Sequence, residues 1–329
     1  MKTFITGATG FVGSAVLRKL LKEGHQVRAM VRPQSDLSHL SGLDVETVTG
    51  DLTHRESLVP LLEGCNVLFH VAADYRLWVR HPKSIYANNV DGTRNLFEAA
   101  AQTGVERMVY TSSVATLGLN ADGTPADEEL PATLDDMLGH YKRSKYLAEE
   151  WVRRFVAERG ANIVIVNPAA PIGPRDSRPT PTGKLILDAA CGRMPAYVDT
   201  GLDVVHVDDV AAGHLLAFTN GKPGRRYILG STNMTLRDIL VEVSELVGRK
   251  PPSIELPSAL VLPFAYLMEA WALLTGMEPI VSVDGVKLSR KRMFFTSQRA
   301  IDELGYAPRP GCEAIRDAVD WYQQKGFLH

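Results

Sequence analysis

The chain has 329 residues, 45% of them hydrophobic and 22% charged, with a formal net charge of -2. That is an ordinary soluble composition, and its balance excludes a nucleic-acid or other polyanion partner as the organising feature. Cys65, Cys191 and Cys312 form an odd, scattered set without C-x-x-C spacing, which argues against a disulfide framework or a metal site and fits a reducing cytoplasm.

A β-type run at residues 2–6 opens the chain, with no signal-type stretch before it. Thr6-Gly7-Ala8-Thr9-Gly10-Phe11-Val12-Gly13 follows. Apolar residues then recur at helical spacing over 14–21, and Gly24 supplies a stop signal. Glycines between a strand and a helix are the context of a dinucleotide fingerprint, here with G-x-x-G-x-x-G spacing. Gly7, Gly10 and Gly13 let the backbone turn tightly and approach a pyrophosphate. The free N–H groups around Thr9, Phe11 and Val12 bind it.

The strand expected at 26–32 ends where an adenosine ribose would lie. An acid there would bond the 2′-hydroxyl and favour NAD, but this strand ends in Val31-Arg32. A guanidinium fits a 2′-phosphate as a forked donor, so NADP is expected, with NAD as the alternative. Asp51-Leu52, after a third strand at 45–48, fall at the adenine edge.

Strands at 67–71, 107–111 and 162–167 then alternate with helices at 90–102 and 140–157. This predicts an α/β fold with a doubly wound parallel sheet of Rossmann type and ligands at the carboxyl ends of its strands. Prolines crowd 168–181 and the alternation weakens. A strand and helix at 203–218 are expected to return to the core. The organisation predicted is a dinucleotide-binding core over 1–167, rejoined by 203–218, and a smaller C-terminal substrate-binding lobe over 168–329.

Tyr141 and Lys145 are four apart on an expected helix, so they share one face. A phenol titrating at about pH 10 is a poor base at neutral pH. A nearby ammonium is expected to lower that value and let Tyr141 take or give a hydroxyl proton while hydride moves at carbon. Lys145 can also hold the nicotinamide ribose. Thr111-Ser112-Ser113 ends the preceding strand, and a hydroxyl there can hold the substrate oxygen beside the phenol.

In these motifs the chain resembles the extended short-chain dehydrogenases/reductases, the superfamily of nucleotide-sugar epimerases, dehydratases and dihydroflavonol reductases. The carriers are Thr6 to Gly13, Asp51-Leu52, His70-Val71-Ala72-Ala73, Asn89-Val90-Asp91-Gly92-Thr93, Thr111-Ser112-Ser113, Tyr141 to Lys145, and His206-Val207-Asp208-Asp209-Val210. The resemblance implies a catalytic set of Ser113, Tyr141 and Lys145, with Ser112 as the alternative serine. It implies that Ala72 and Ala73 line the cofactor groove and that Asn89 bonds the core near the active site. Asn89, Thr111, Ser112, Pro168 and Ala170 complete the residues expected around the cofactor.

The second half resembles the hopanoid-associated sugar epimerases. Asn167 to Asp176, Pro179 to Gly183, Gly192 to Gly201, Val283 to Val286 and Lys291 to Phe295 carry that likeness. Asn167 stands where many sugar-active members carry Arg before the Pro. Epimerases that recycle a bound cofactor usually favour NAD, whereas Arg32 points to NADP. Both departures favour a net reductase.

Several residues have a plainer reading beside the functional one. His206 is expected to brace the lobe junction, and His140 to leave its helix on another face than Tyr141. Arg175, Lys184 and Arg193 are either phosphate ligands or surface charge. Tyr75, Arg76, Leu77 and Trp78 either roof the cleft or simply pack. Residues 257–277 carry one formal charge, Glu269, but Pro263 and Glu269 argue against a membrane span. The stretch is expected to be a buried or cleft-lining helix. A lipid-like substrate or peripheral membrane contact is the alternative, helped by Lys287, Arg290, Lys291 and Arg292. The resemblance implies a homodimer through the helices at 90–102 and 140–157, with Leu96, Ala100, Leu147 and Trp151 as candidate contacts. Three functions fit a small-molecule substrate site of this kind. They are an epimerase-like redox enzyme, an NADPH-dependent carbonyl reductase, and a non-enzymatic dinucleotide sensor, which would not need Ser113, Tyr141 and Lys145.

Overall fold

The computed structural model describes residues 1–76, 78, 82–275, 283–289 and 291–328. Leu77, Met277 and Arg290 lie outside the described residues. The first half alternates β1 (Lys2–Thr6), α1 (Phe11–Lys22), β2 (Gln26–Val31), β3 (Glu46–Thr49), α2 (Arg55–Leu62), β4 (Val67–His70), α3 (Lys83–Tyr86), α4 (Gly92–Gln102), β5 (Arg107–Thr111), α5 (Gly139–Arg159) and β6 (Ile163–Pro168). The second half adds β7 (Ala170–Ile172), α6 (Pro181–Ala190), β8 (Ala196–Tyr197), β9 (Gly201–His206), α7 (Val207–Asn220), β10 (Arg226–Leu229), β11 (Thr232–Thr235), α8 (Leu236–Leu246), β12 (Ile254–Glu255), α9 (Ser258–Thr275), α10 (Val283–Leu288), β13 (Arg292–Met293), α11 (Gln298–Leu304) and α12 (Gly311–Gln324).

Seven strands form one sheet in the order β10-β6-β5-β4-β1-β2-β3, and every adjacent pair is parallel. β4 and β6 are buried at every position, as expected of strands covered on both faces. Phe4 and Ile5, neighbours in β1, enter opposite cores. Ile5 joins α1 and α7 residues such as Leu17 and Val210, while Phe4 joins Leu58, Leu96 and Val152 from α2, α4 and α5. The strand order reverses between β1 and β4, and a ligand crevice opens at such a switch point.

A smaller sheet is centred on β9, which pairs parallel with β7 and β13 and antiparallel with β11. A third core joins it to α6, α8 and α12 through Ile172, Ile186, Leu240 and Ile315. The return to the core at 203–218 differs from the expectation. Its helix, α7, packs on α1, but its strand, β9, belongs to the smaller sheet. The strand that joins the main sheet is β10, where Tyr227, Ile228 and Leu229 are fully buried.

Candidate active site

The loop after β1 is built for backbone contact. Gly7 has φ +78°, a left-handed conformation that L side chains rarely adopt. A Cβ there would lie 2.6 Å from the Ala72 nitrogen, and a Cβ on Gly13 would lie 2.0 Å from the Gly7 carbonyl oxygen. Any side chain would fill this cradle, so the residues fit a dinucleotide pyrophosphate. Gly10 caps α1 with extended backbone, which leaves the N–H groups of Phe11, Val12 and Gly13 without helical acceptors. Thr9 is partly exposed on the same loop. Ala72 and Ala73 face the loop from the end of β4, and the Ala72 N–H donates to Thr6 Oγ1 at 3.3 Å. His70 fixes that strand end by bonding Thr6 Oγ1 at 2.8 Å and Thr93 Oγ1 at 2.9 Å. Burial pushes its pKa down to about 3, so its imidazole is neutral.

Arg32 is exposed at the end of β2, and its guanidinium makes no hydrogen bond to a described residue. Its charge lies close enough to help depress the Asp51 carboxyl, which is held down first by the Thr53 backbone N–H. Leu52 packs against Gly92 at the start of α4. Pro168 and Ala170 are buried at the joint between the two sheets.

Residues 139–159 form one helix, as the Tyr-x-x-x-Lys spacing requires. Its end is closed by Gly160 in the left-handed conformation. Ser113 lies beside Tyr141, and its Oγ accepts the Ala115 N–H at 3.1 Å. Ser112 is buried, and its Oγ has no partner among the described residues. Burial pushes the Tyr141 phenol above its usual range, with the nearby Ser113 hydroxyl opposing. This reverses the expected lowering by the neighbouring ammonium. The reason is where that ammonium goes: Lys145 Nζ donates to the Thr111 carbonyl at 2.8 Å and to the Tyr110 hydroxyl at 3.0 Å. It also sits 4.6 Å over the Tyr110 ring. Burial pushes Lys145 down to about 7, against the pull of the Glu149 carboxylate.

Asn89 is buried and fully used. Its Oδ1 accepts from the Asp74 N–H at 2.7 Å, while its Nδ2 donates to the Asp74 carbonyl at 2.8 Å and to Ser144 Oγ at 2.9 Å. That geometry braces α5 against the loop after β4. Thr111 is committed in the same way, with Oγ1 2.8 Å from His214 Nε2.

The sequence reading missed a buried group behind Ser113. Asn167 Nδ2 donates to the Ser113 carbonyl at 3.0 Å, to Thr116 Oγ1 at 3.2 Å and to Glu149 Oε2 at 2.8 Å. Thr116 Oγ1 donates to Glu149 Oε2 at 2.9 Å, and Arg226 lies 3.4 Å from Glu149 Oε1. The missed signal was periodicity, because Tyr141, Lys145 and Glu149 are spaced i, i+4, i+8 on α5. Asn167 thus supports the serine loop from inside. Such a residue does not offer a substrate phosphate the cationic fork that an Arg would.

The other candidates resolve simply. His206 bonds Asp317 at 3.1 Å and Arg309 at 2.9 Å, so it links β9 to α12 and the preceding turn. Arg175 pairs with Asp208, while Lys184 and Arg193 both pair with Asp188, which leaves them without a phosphate-binding arrangement. His140 Nδ1 lies 3.1 Å from the Tyr86 hydroxyl, away from Tyr141's partner Ser113. Tyr75 is exposed and Arg76 pairs with Asp74.

A family model described as the NAD dependent epimerase/dehydratase family matches residues 3–230. The chain belongs to this family. It is therefore an enzyme of a group whose members are nicotinamide-dependent reductases, epimerases and dehydratases. It is 45% identical to a Synechocystis sp. protein named provisionally as a dihydroflavonol 4-reductase, over 99% of this chain and 95% of the relative. It is 36% identical to sterol demethylase protein B of Methylococcus capsulatus over the whole of both chains. The crystal structure of gox2253 is 51% identical, covers 99% of each chain and superposes with a TM-score of 0.90.

Proposed function

We propose that this enzyme is an NADPH-dependent reductase of a ketone on a bulky, ring-shaped, lipid-like substrate. The observation that carries the reading is the phenol of Tyr141, which lies beside Ser113 and is pushed above its usual range by burial. A protonated phenol at neutral pH suits the acid of a reduction. Asn167, turned inward, gives no cation for a sugar diphosphate. The similarity to proteins named as a reductase and as a sterol demethylase component supports the same direction.

In this reading the cradle of Gly7, Gly10 and Gly13, with Arg32, Asp51, Leu52, Ala72 and Ala73, holds the dinucleotide, which supplies hydride when bound. Ser113 Oγ holds the substrate oxygen. Tyr141 gives its hydroxyl proton to that oxygen as the carbonyl carbon is reduced. Lys145 fixes the Thr111 carbonyl behind them and stands ready to hold the ribose. Residues 168–329, less α7 and β10, which join the core, serve as the substrate lobe. Oxidation of NADPH by polycyclic ketones, compared with turnover of sugar nucleotides, tests the proposal. Turnover of sugar nucleotides alone overturns it. The second reading is a hopanoid-associated sugar epimerase with internal recycling, for which the family's name supports only the epimerase part. That reading requires tightly copurifying NAD.

Arg32 sets the cofactor preference in this proposal. Arg32→Ala is expected to weaken NADPH by about 1.5–3 kcal/mol, the range for a charged hydrogen bond, and to leave NADH nearly unchanged. Titration of both nucleotides against both proteins measures it, and equal weakening of the two assigns the arginine to the surface.

The proposed homodimer uses α4 and α5, but two expected contacts must be withdrawn. Leu96 and Ala100 are both 0% exposed inside their own chain, because they face the sheet. Leu147 and Trp151 are partly exposed on α5, with Trp151 stacked on Phe155 at 4.8 Å. The double variant Leu147→Arg, Trp151→Glu is expected to sediment as a monomer where the parent is a dimer. A monomeric parent at micromolar concentration contradicts the pairing.

A further inference from the structure

α9 was expected to be buried or to line the cleft, and it does neither in full. Val261, Ala265 and Ala272 turn inward, where Ala265 packs on Val283 and Val286 of α10. Leu260, Phe264, Leu267 and Trp271, spaced 4, 3 and 4 residues apart, form a second stripe on the outside. Leu260 and Leu267 are each 70% exposed and Trp271 59%. A helix apolar on both sides is normally covered on both sides. Ile254 and Leu256, just before the helix, are exposed as well.

We propose that α9 docks the enzyme on an anionic lipid bilayer, lying in the interface with its outer stripe in the acyl boundary. The distribution of charge around α9 favours this occupant. The helix's one charged residue, Glu269, is turned onto α10, where its Oε1 accepts the Val283 N–H at 2.7 Å. The outer stripe is therefore free of charge. Lys287, Lys291 and Arg292 follow on the packed segment. Arg292 pairs with Asp199 at 3.1 Å, whereas Lys287 and Lys291 make no ion pair with a described residue. Such a basic fringe matches anionic headgroups. Trp271 and Tyr266 combine an apolar ring with a polar tip, which suits the headgroup level. No described helix is long and apolar enough to cross a membrane, and α9 contains Pro263, so it lies on the bilayer rather than through it.

The site is close by. A Cβ on Gly139, two residues before Tyr141, would lie 3.0 Å from Asp284 Oδ2 of α10. On the amino end of the catalytic helix, α10 thus ties the docked hairpin to the mouth of the site. The purpose of docking rests on the lipid-like substrate proposed above, but vesicle binding is scored without substrate, so the two ideas fail separately.

The test uses the full chain with vesicles of phosphatidylcholine alone and of phosphatidylcholine mixed with phosphatidylglycerol. The parent is expected to sediment with the mixed vesicles and less with the neutral ones. Leu267→Glu with Trp271→Glu is expected to lower that binding on the order of tenfold or more. Lys287→Gln and Lys291→Gln are each expected to lower it roughly fivefold on mixed vesicles only. NADPH titration of each variant checks that the core is folded. If the double variant does not fold, quenching by brominated lipid replaces it, read as the difference between the parent and Trp271→Phe. The proposal is overturned by no sedimentation with either vesicle, by binding that the stripe substitutions leave unchanged, or by absence of Trp271 quenching. It is also overturned if the stripe variants turn a dimer into a monomer that never bound lipid.

Discussion

Tyr141→Phe is expected to cut turnover on the order of 10²- to 10⁴-fold while nucleotide binding stays intact. Phe keeps the ring that packs at the start of α5 and removes only the hydroxyl. That hydroxyl is the group beside Ser113. Near-parental turnover on any accepted substrate defeats the assignment. A parallel loss of NADPH affinity would instead mean that the phenol serves binding.

Lys145→Met is expected to do two opposite things. Turnover falls by about 10²-fold or more, because the amino group that bonds the Thr111 carbonyl, and is proposed to hold the ribose, is gone. Stability near neutral pH rises. Burial drives Lys145 from 10.5 down to about 7, a cost on the order of 4–5 kcal/mol when the group is charged. Methionine fills similar space without it. With the lysine largely neutral in the folded protein, the loss of two hydrogen bonds, to Tyr110 and Thr111, takes back roughly 0.5–1.5 kcal/mol each, so a modest net gain remains. The pH dependence is the sharper readout. Between about pH 7 and 10.5 the unfolded lysine holds its proton and the folded one does not, so stability from this group rises with pH across that window. Denaturation midpoints at pH 6.5 and 9.5 should show a larger rise in the parent than in the variant. An equal rise means that Lys145 stays charged in the folded protein.

What the sequence alone determined about this enzyme is what depends on near neighbours along the chain. The cofactor cradle needed only a strand, three glycines and a helix in succession. The pairing of Tyr141 with Lys145 needed only a four-residue step on one helix, and α5 provides it. The parallel sheet followed from alternating elements whose strands are apolar throughout, such as residues 163–168. Tertiary structure decided the rest, because burial and long-range partners leave no local trace. Two adjacent serines end β5, and only the arrival of α5 beside Ser113 separates them. The direction of the Tyr141 shift turned on Lys145 reaching Tyr110 and Thr111 instead of the phenol. Asn167, first noticed as a missing arginine, acquired a task only when β6 brought it against Glu149 and Ser113. Helical periodicity marks an apolar face without saying what covers it. Leu96 and Ala100 therefore proved to be core, while Leu260, Leu267 and Trp271 stand exposed.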